Sequence, residues 1–149
     1  MPRRGKVKVR AMAARDVPLA VALERRVTRT RGRTGLERNL RARLKAGSSS
    51  ICLAAPVGDR LGGFLVAEVR TVEFGEKEPV GWIEVVGVDP EFQGQGLGHA
   101  LGAEALRRLR KRGVRRVKTL VPWDAGEMVS YFATLGFRRG DAVLLESSP

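Results

Sequence analysis

Apolar residues recur along this chain with two different periods, which predict alternating strands and helices. Leu36, Leu40 and Leu44 recur every four residues, as on one face of a helix. The run 80–88 is instead short, apolar and rich in β-branched residues, which is typical of a buried strand. The same patterns elsewhere predict strands at residues 6–10, 51–55, 61–72, 114–121 and 142–146, and helices at residues 16–27, 36–45, 96–112 and 124–135.

The order β-α-α-β-β-β-α-β-α-β predicts an α/β (α+β) fold, with a mixed sheet of about six strands and helices on both faces. We expect the early strands to be antiparallel and the sheet to be parallel beside the run 80–88. No repeat or low-complexity linker divides the chain, so residues 1–149 are expected to form one domain. Residues 1–5 are a basic and flexible N-terminus in this prediction, and residues 147–149 are a polar tail.

A glycine-rich turn follows the run 80–88. Asp89-Pro90 ends the strand, because proline cannot donate to a sheet ladder and restricts the residue before it. Gly94, Gly96 and Gly98 follow at every second position, and leucines then fall at helical spacing. Such a turn leaves backbone N–H groups unpaired at a helix N-terminus, which favours a phosphate or pyrophosphate site over a mere tight connection.

Two familiar phosphate-binding motifs are excluded by the spacing of this turn. No Gly-Lys-Ser/Thr completes a P-loop, and the glycines do not follow the Gly-x-Gly-x-x-Gly spacing of a dinucleotide fold. The ligand therefore needs a different identification.

The charge is strongly basic, with 28 Lys and Arg against 16 Asp and Glu, a formal +12 at pH 7. Such a charge attracts nucleic acid, acidic proteins or a phosphorylated cofactor. Aromatic residues make up only 5% of the chain, so a stacking platform for single-stranded nucleic acid is poorly supplied. Association with nucleic acid is therefore a minor alternative.

Cysteine and histidine each occur once, as Cys52 and His99, which predicts neither an internal disulfide nor a metal cluster. No apolar run approaches the ~20 residues of a membrane span, and the basic start lacks the apolar segment of a signal peptide. These features favour a cytoplasmic protein that does not contact a membrane.

The chain resembles the GCN5-related N-acetyltransferases (GNAT family) in three motifs. They are Val88-Asp89-Pro90, the turn Gln93-x-x-Gly96-x-Gly98 and the helix end Leu135-Gly136-Phe137. The element order agrees with that fold from residue 6 to residue 146. The resemblance implies an enzyme that transfers acetyl from acetyl-CoA to a primary amine of a small molecule, peptide or protein.

The resemblance also implies a CoA site. The strand before the turn would bulge and splay from the next strand, so that Val86 and Val88 pair with pantetheine while Gly87 permits the bulge. An N–H group near Val86 would polarise the thioester carbonyl. The pyrophosphate would be bound by the backbone N–H groups of Gln93, Gly94, Gln95, Gly96, Leu97 and Gly98, with His99 at the edge.

Glu84 is the candidate general base, because it lies in the otherwise apolar strand where burial would raise its pKa. The alternative is a salt-bridged or solvent-facing glutamate. Glu127, early in the last predicted helix, is a weaker second candidate that is better explained by the helix dipole.

Two positions depart from the family pattern in the last predicted helix. Where the family often has a tyrosine acid, this chain has Phe132, which we assign to the cofactor site, and Tyr131 is adjacent. Either Tyr131 protonates the leaving thiolate or no side chain does. Ala125 replaces an asparagine that the family often has, which puts a cofactor contact in doubt.

The acceptor side departs as well. The C-terminus is shorter than in the family, so the acceptor groove is open to a protein or peptide amine, or a second subunit completes the sheet as a homodimer. Arg29, Arg31 and Arg33 in the loop 28–35 favour an acidic acceptor, unless they are only solvated. A protein that binds acyl-CoA as a sensor with weak or no catalysis is the runner-up function.

Overall fold

Five strands form one mixed sheet in the computed structural model, which describes residues 6–27 and 35–149. Neighbouring strands follow chain order, and only β4 and β5 are parallel. The predicted mixed sheet is confirmed, with five strands rather than six among the described residues. The strands are β1 (Arg10–Ala11), β2 (Ser50–Val57), β3 (Arg60–Arg70), β4 (Val80–Val88) and β5 (Arg116–Thr119). The helices are α1 (Val17–Val27), α2 (Leu36–Ala46), α3 (Leu97–Lys111) and α4 (Gly126–Thr134).

Helices cover both faces of this sheet because successive residues of the central strands point to opposite faces and are apolar on each. On β2, Leu53 packs into the cluster that contains α3, whereas Ala54 packs into the cluster that contains α1 and α2. Leu65 and Phe64 divide in the same way on β3. The fold therefore has three layers, with the sheet between two helical layers.

Strand β4 carries an irregularity in its pairing with β3. Val66 pairs with Val85, but the next residue, Ala67, pairs with Ile83. Glu84 is therefore the extra residue of a β-bulge. The sequence prediction associated the bulge with Gly87, which instead pairs regularly with Phe64.

The two ends of the predicted sheet differ from the structure. The first strand is only Arg10–Ala11, not residues 6–10. Residues 142–146 form no strand, and Val143 and Leu145 are 77% and 87% exposed. A strand needs a partner edge as well as β-forming residues, and within the described chain no strand pairs with this segment.

Two helices, predicted at residues 16–27 and 124–135, begin later in the structure. A short 3-10 turn, Ala14–Asp16, precedes α1, and the Asp16 carboxylate accepts from the N–H of Ala13 at 2.7 Å instead of capping α1. Ala125, not Asp124, is the residue that precedes α4, and it makes no side-chain cap. In both cases the first turn begins later than the polar residue suggests.

Candidate active site

The glycine-rich turn lies between β4 and α3 and presents its backbone to solvent. Gly94 and Gly96 have φ angles of 78° and 86°, a left-handed conformation that favours glycine. The backbone N–H groups from Gly94 to His99 have no hydrogen-bond acceptor among the residues that the structure describes. Six consecutive donors at a helix N-terminus, with the positive end of the helix dipole, form a surface suited to an anion.

Asp89 fixes the start of this turn. Asp89 is 3% exposed, and its carboxylate accepts a hydrogen bond from the N–H of Glu91 at 3.0 Å. The other carboxylate oxygen accepts from Arg26 of α1 at 2.7 Å, and Arg60 lies 3.5 Å away. Burial alone would raise the pKa of Asp89, but the hydrogen bonds from Glu91 and Arg26 outweigh it and lower the pKa. The sequence identified Asp89 only as a strand end and missed this ion pair.

The edge of β4 that faces β5 is open beyond the bulge. The β4–β5 pairing runs from Val80 to Ile83 and stops where the Thr119 hydroxyl donates to the carbonyl oxygen of Ile83 at 2.9 Å. Residues 85–88 pair only with β3 within the described chain. Because Val86, Gly87 and Val88 lie in this segment, the expected splay of β4 from β5 is present next to the glycine turn.

Helix α4 packs closely on the first turns of α3 through two glycines. A Cβ at Gly98 would lie 3.3 Å from the Tyr131 ring, and one at Gly102 would lie 2.3 Å from the Leu135 side chain. Gly98 therefore serves helix packing, whatever its N–H group binds. The remaining turn residues Gln93, Gln95 and His99 are exposed, whereas Leu97 is buried in the core.

Tyr131 and Phe132 lie on α4 where it packs against α3. The Tyr131 hydroxyl donates to the carbonyl oxygen of Gly98 at 2.6 Å, and burial raises the pKa of Tyr131 to about 12. Phe132 is 4% exposed and packs edge to face against Tyr131 and Phe137. Tyr131 thus has a hydrogen-bond acceptor within its own chain.

Glu84 projects from the bulge toward α2, where it forms an ion pair with Arg43. Arg43 also donates to Glu68 of β3, at 3.2 Å. Burial raises the pKa of Glu84, although the Arg43 guanidinium opposes the shift. The sequence offered a raised pKa and a salt bridge as alternatives for Glu84, and in the structure Glu84 has both. Arg43 itself was missed, because nothing local in the sequence links α2 to β4.

Among the described residues, two cavities lie on the α1–α2 side of the sheet. One of about 220 Å³ is lined by Glu84 and Arg43 together with Asn39, and it lies between α2 and β4. The other, an open cleft of about 940 Å³ between α1 and α2, is lined by four cations and two carboxylates. They are Arg25, Arg38, Arg41, Lys45, Glu24 and Glu37.

Several predicted features lie elsewhere. Glu127 is exposed in the first turn of α4, away from the Glu84–Arg43 pair on the opposite sheet face. Arg29, Arg31 and Arg33 and residues 1–5 lie outside the described residues. Between residues 6 and 149, leaving out 28–34, no helix has the length and apolarity needed to cross a bilayer. In the same residues no cluster of His, Cys, Asp and Glu is suited to a metal.

The chain belongs to the acetyltransferase (GNAT) family, whose model matches residues 20–137. This confirms the resemblance that the turn and the Leu-Gly-Phe helix end carry.

Particular relatives match only in part. The chain is 44% identical over 72 residues to the mycothiol acetyltransferase of Nocardiopsis dassonvillei, covering 48% of this chain and 22% of that protein. It is 32% identical over 102 residues to the mycothiol acetyltransferase of Renibacterium salmoninarum, covering 68% of this chain and 30% of that protein. The chain therefore spans less than a third of the length of each.

A solved structure is similar over nearly the whole fold. It is AAC(6')-Iy in complex with the bisubstrate analogue CoA-S-monomethyl-acetylneamine. The TM-score is 0.83 at 17% sequence identity, and the match covers 97% of this chain and 99% of that chain. This similarity confirms the GNAT fold.

Proposed function

We propose that this protein is an acetyl-CoA-dependent N-acetyltransferase that acts on a primary amine. The observation that carries the proposal is the run of six N–H groups from Gly94 to His99, which have no acceptor in the described part of the chain and lie beside the open edge of β4. This surface fits a ligand that combines a pyrophosphate with an extended amide chain, as CoA does. Family membership, and the CoA-containing analogue bound by AAC(6')-Iy, support the same cosubstrate.

In this proposal the turn residues 93–98 bind the pyrophosphate of CoA, with His99 at the edge. The backbone of Val86, Gly87 and Val88 hydrogen-bonds the pantetheine arm, in the manner of an added strand. Phe132 supports the site only from behind, through its packing against Tyr131. Acetyl-CoA supplies the activated acetyl group, and the protein supplies position and a proton acceptor.

Glu84 is the proposed base. The amine nitrogen forms a bond to the thioester carbonyl carbon while its proton passes to the Glu84 carboxylate, directly or through a water. The carbon–sulfur bond then breaks, and the thiolate leaves with the electron pair and is protonated to CoA thiol. A backbone N–H group near Val86 would stabilise the negative charge on the carbonyl oxygen.

The acceptor enters from the α1–α2 side in this proposal, where the cavity at Glu84 lies. The relatives are named for mycothiol, and AAC(6')-Iy was solved with an acetylneamine analogue, so small-molecule amines are the first acceptors to test. The cations along the larger cleft favour an acceptor that also carries an acidic group.

A CoA-binding protein with weak catalysis is the second candidate, and the geometry of Tyr131 favours it. Its hydroxyl donates to Gly98, and a pKa of about 12 makes it a poor proton donor to a thiolate. If no other group protonates the thiolate, turnover depends on water or on release of the thiolate itself.

Calorimetry with acetyl-CoA and with CoA tests the cofactor site, and thiol release with a panel of amines tests catalysis. We expect both ligands to bind and at least one amine to accelerate thiol release. Binding without acceleration by any amine would support the second candidate. An absence of binding would contradict both, and a salt-dependent titration with nucleic acid would then become the next experiment.

We also propose that the exposed apolar segment 142–146 contributes to a homodimer. Val143, Leu144 and Leu145 are all exposed, and β5 has no strand on its outer edge within the described chain. Mass measurement during size exclusion should give a dimer for the full chain and a monomer for a chain shortened to residue 141. A dimer that survives the truncation would exclude this segment as the interface.

A further inference from the structure

Arg43 lies between two carboxylates that come from adjacent strands. One guanidinium nitrogen is 3.2 Å from Glu68 and another contacts Glu84. The three side chains are similarly shielded, with exposed fractions of 20% for Arg43, 24% for Glu68 and 26% for Glu84. Ion pairs with this degree of shielding from solvent are screened less than surface pairs.

The two carboxylates are not equivalent. Glu68 accepts a second cation, because the Arg70 Nε lies 2.6 Å from it. Among the described residues, Arg43 is the cation that contacts both carboxylates. Loss of Arg43 would therefore remove a cation from both carboxylates, while Glu68 would keep its ion pair with Arg70.

The other ionisable groups around Glu84 do not replace Arg43. The Cys52 thiol of β2 is buried, and burial raises its pKa, so it stays neutral near pH 7. On α1, the Glu24 carboxylate lies beside Gly87 and is not a cation that could take the place of Arg43. Among the described residues, the Arg43 guanidinium is therefore the group that opposes both burial and the Glu68 charge.

We propose that Arg43 is a positioning residue that keeps the Glu84 carboxylate ionised and aimed into the cavity between α2 and β4. This inference rests on the proposed function of Glu84. Burial and Glu68 raise the pKa of Glu84, and Arg43 lowers it. The balance leaves a carboxylate that is more basic than an exposed glutamate yet charged when the acceptor amine arrives.

The pH dependence of kcat/KM tests this balance. In Arg43→Met the acid limb should move to higher pH, by about 1–3 pH units, because one opposite charge within 4–6 Å has that effect. Arg43→Lys keeps the charge and should restore most of the wild-type position. Glu68→Gln removes the like charge and should move the limb the other way, to lower pH.

Arg107→Met is the control, since Arg107 forms an arginine–glutamate ion pair with Glu104 on α3, which packs on the other face of the sheet. Its acid limb should coincide with that of the wild type. Calorimetry with CoA should give the same affinity for all four variants, which separates an effect on Glu84 from general damage to the fold.

A direct titration of the Glu84 carboxyl by carbon NMR, assigned with Glu84→Gln, makes the result independent of activity. A higher midpoint in Arg43→Met and a lower one in Glu68→Gln would support the inference even if Glu84→Gln retained turnover, which would overturn only its role as base. Unchanged midpoints in both variants would overturn the inference. If Arg43→Met does not fold, Arg43→Gln takes its place in both measurements, and an unchanged Glu84 midpoint in that variant would overturn the inference.

Discussion

The proposed cofactor side and the proposed acceptor side of this molecule are built from different parts of the chain. On the cofactor side, the turn 94–99 and the open β4 edge present backbone groups, and the side chains mostly pack behind them. On the acceptor side, Glu84 and Arg43 present charged side chains from separate elements. A backbone site tolerates sequence change except where glycine is required, whereas a side-chain site depends on each partner. The two sides should therefore respond differently to mutation.

The largest effect is expected on the acceptor side. Glu84→Gln should lower kcat/KM for the amine by about 10²–10⁴-fold, the range for loss of a general base. The CoA affinity measured by calorimetry should stay unchanged. Glu127→Gln is the matched control, because this glutamate is exposed on α4. Equal losses in the two variants would mean that neither glutamate has a specific role.

A smaller effect is expected when the backbone of the turn is altered. Gly96→Ala places a side chain at a φ of 86°, which L residues disfavour by about 1–2 kcal/mol. Relaxation of the turn should weaken CoA binding by roughly tenfold or more, since a hydrogen bond to a charged group contributes about 1.5–3 kcal/mol. Gly113→Ala, at a φ of 79° beyond α3, carries the same strain outside the site. If both variants bound CoA equally well, the turn would not be the pyrophosphate site.

Asp89 tests whether the two sides are separable, because it joins the turn to Arg26 of α1. Asp89→Asn should lower the free energy of unfolding by about 1–3 kcal/mol and affect both CoA affinity and acceptor KM. The lowered pKa of Asp89 gives stability that is present above the unfolded pKa and lost as pH falls through the folded pKa. Denaturant unfolding at neutral and acidic pH should show that the free energy of unfolding falls less on acidification in the variant than in the wild type. The same acid loss in both proteins would mean that Asp89 has no part in it.

The smallest effect is expected at Tyr131. Tyr131→Phe removes one hydrogen bond to Gly98 and should lower kcat/KM by less than about tenfold, the equivalent of 0.5–1.5 kcal/mol. As Tyr131 is the only tyrosine in the chain, the phenolate absorbance reports it alone and should titrate near pH 12. A midpoint near the ordinary value, or a loss as large as that of Glu84→Gln, would restore Tyr131 as a general acid.

The features that sequence reasoning predicted correctly are those encoded by nearby residues. The strands β2 and β3, the leucine spacing of α3 and the glycine-rich turn before it each need only a short window of sequence. The ion pairs of the site cannot be predicted from such a window. Arg26 and Asp89, for example, are 63 residues apart in sequence, and their contact depends on the whole fold. The predicted strand at residues 142–146 was wrong for the same reason, since its residues favour a strand but its partner edge is not local.

The bulge at Glu84 has a consequence for how β4 can change. Val85 packs on the α1–α2 side, whereas Val86 and Val88 pack on the α3 side, as the extra residue requires. Deleting this residue would shift the register of β4 by one. Each later side chain of the strand would then point to the opposite face of the sheet. Position 84 can therefore be substituted but not deleted. The proposed base is also the extra residue that directs Val85 toward α1 and α2, and Val86 and Val88 toward α3.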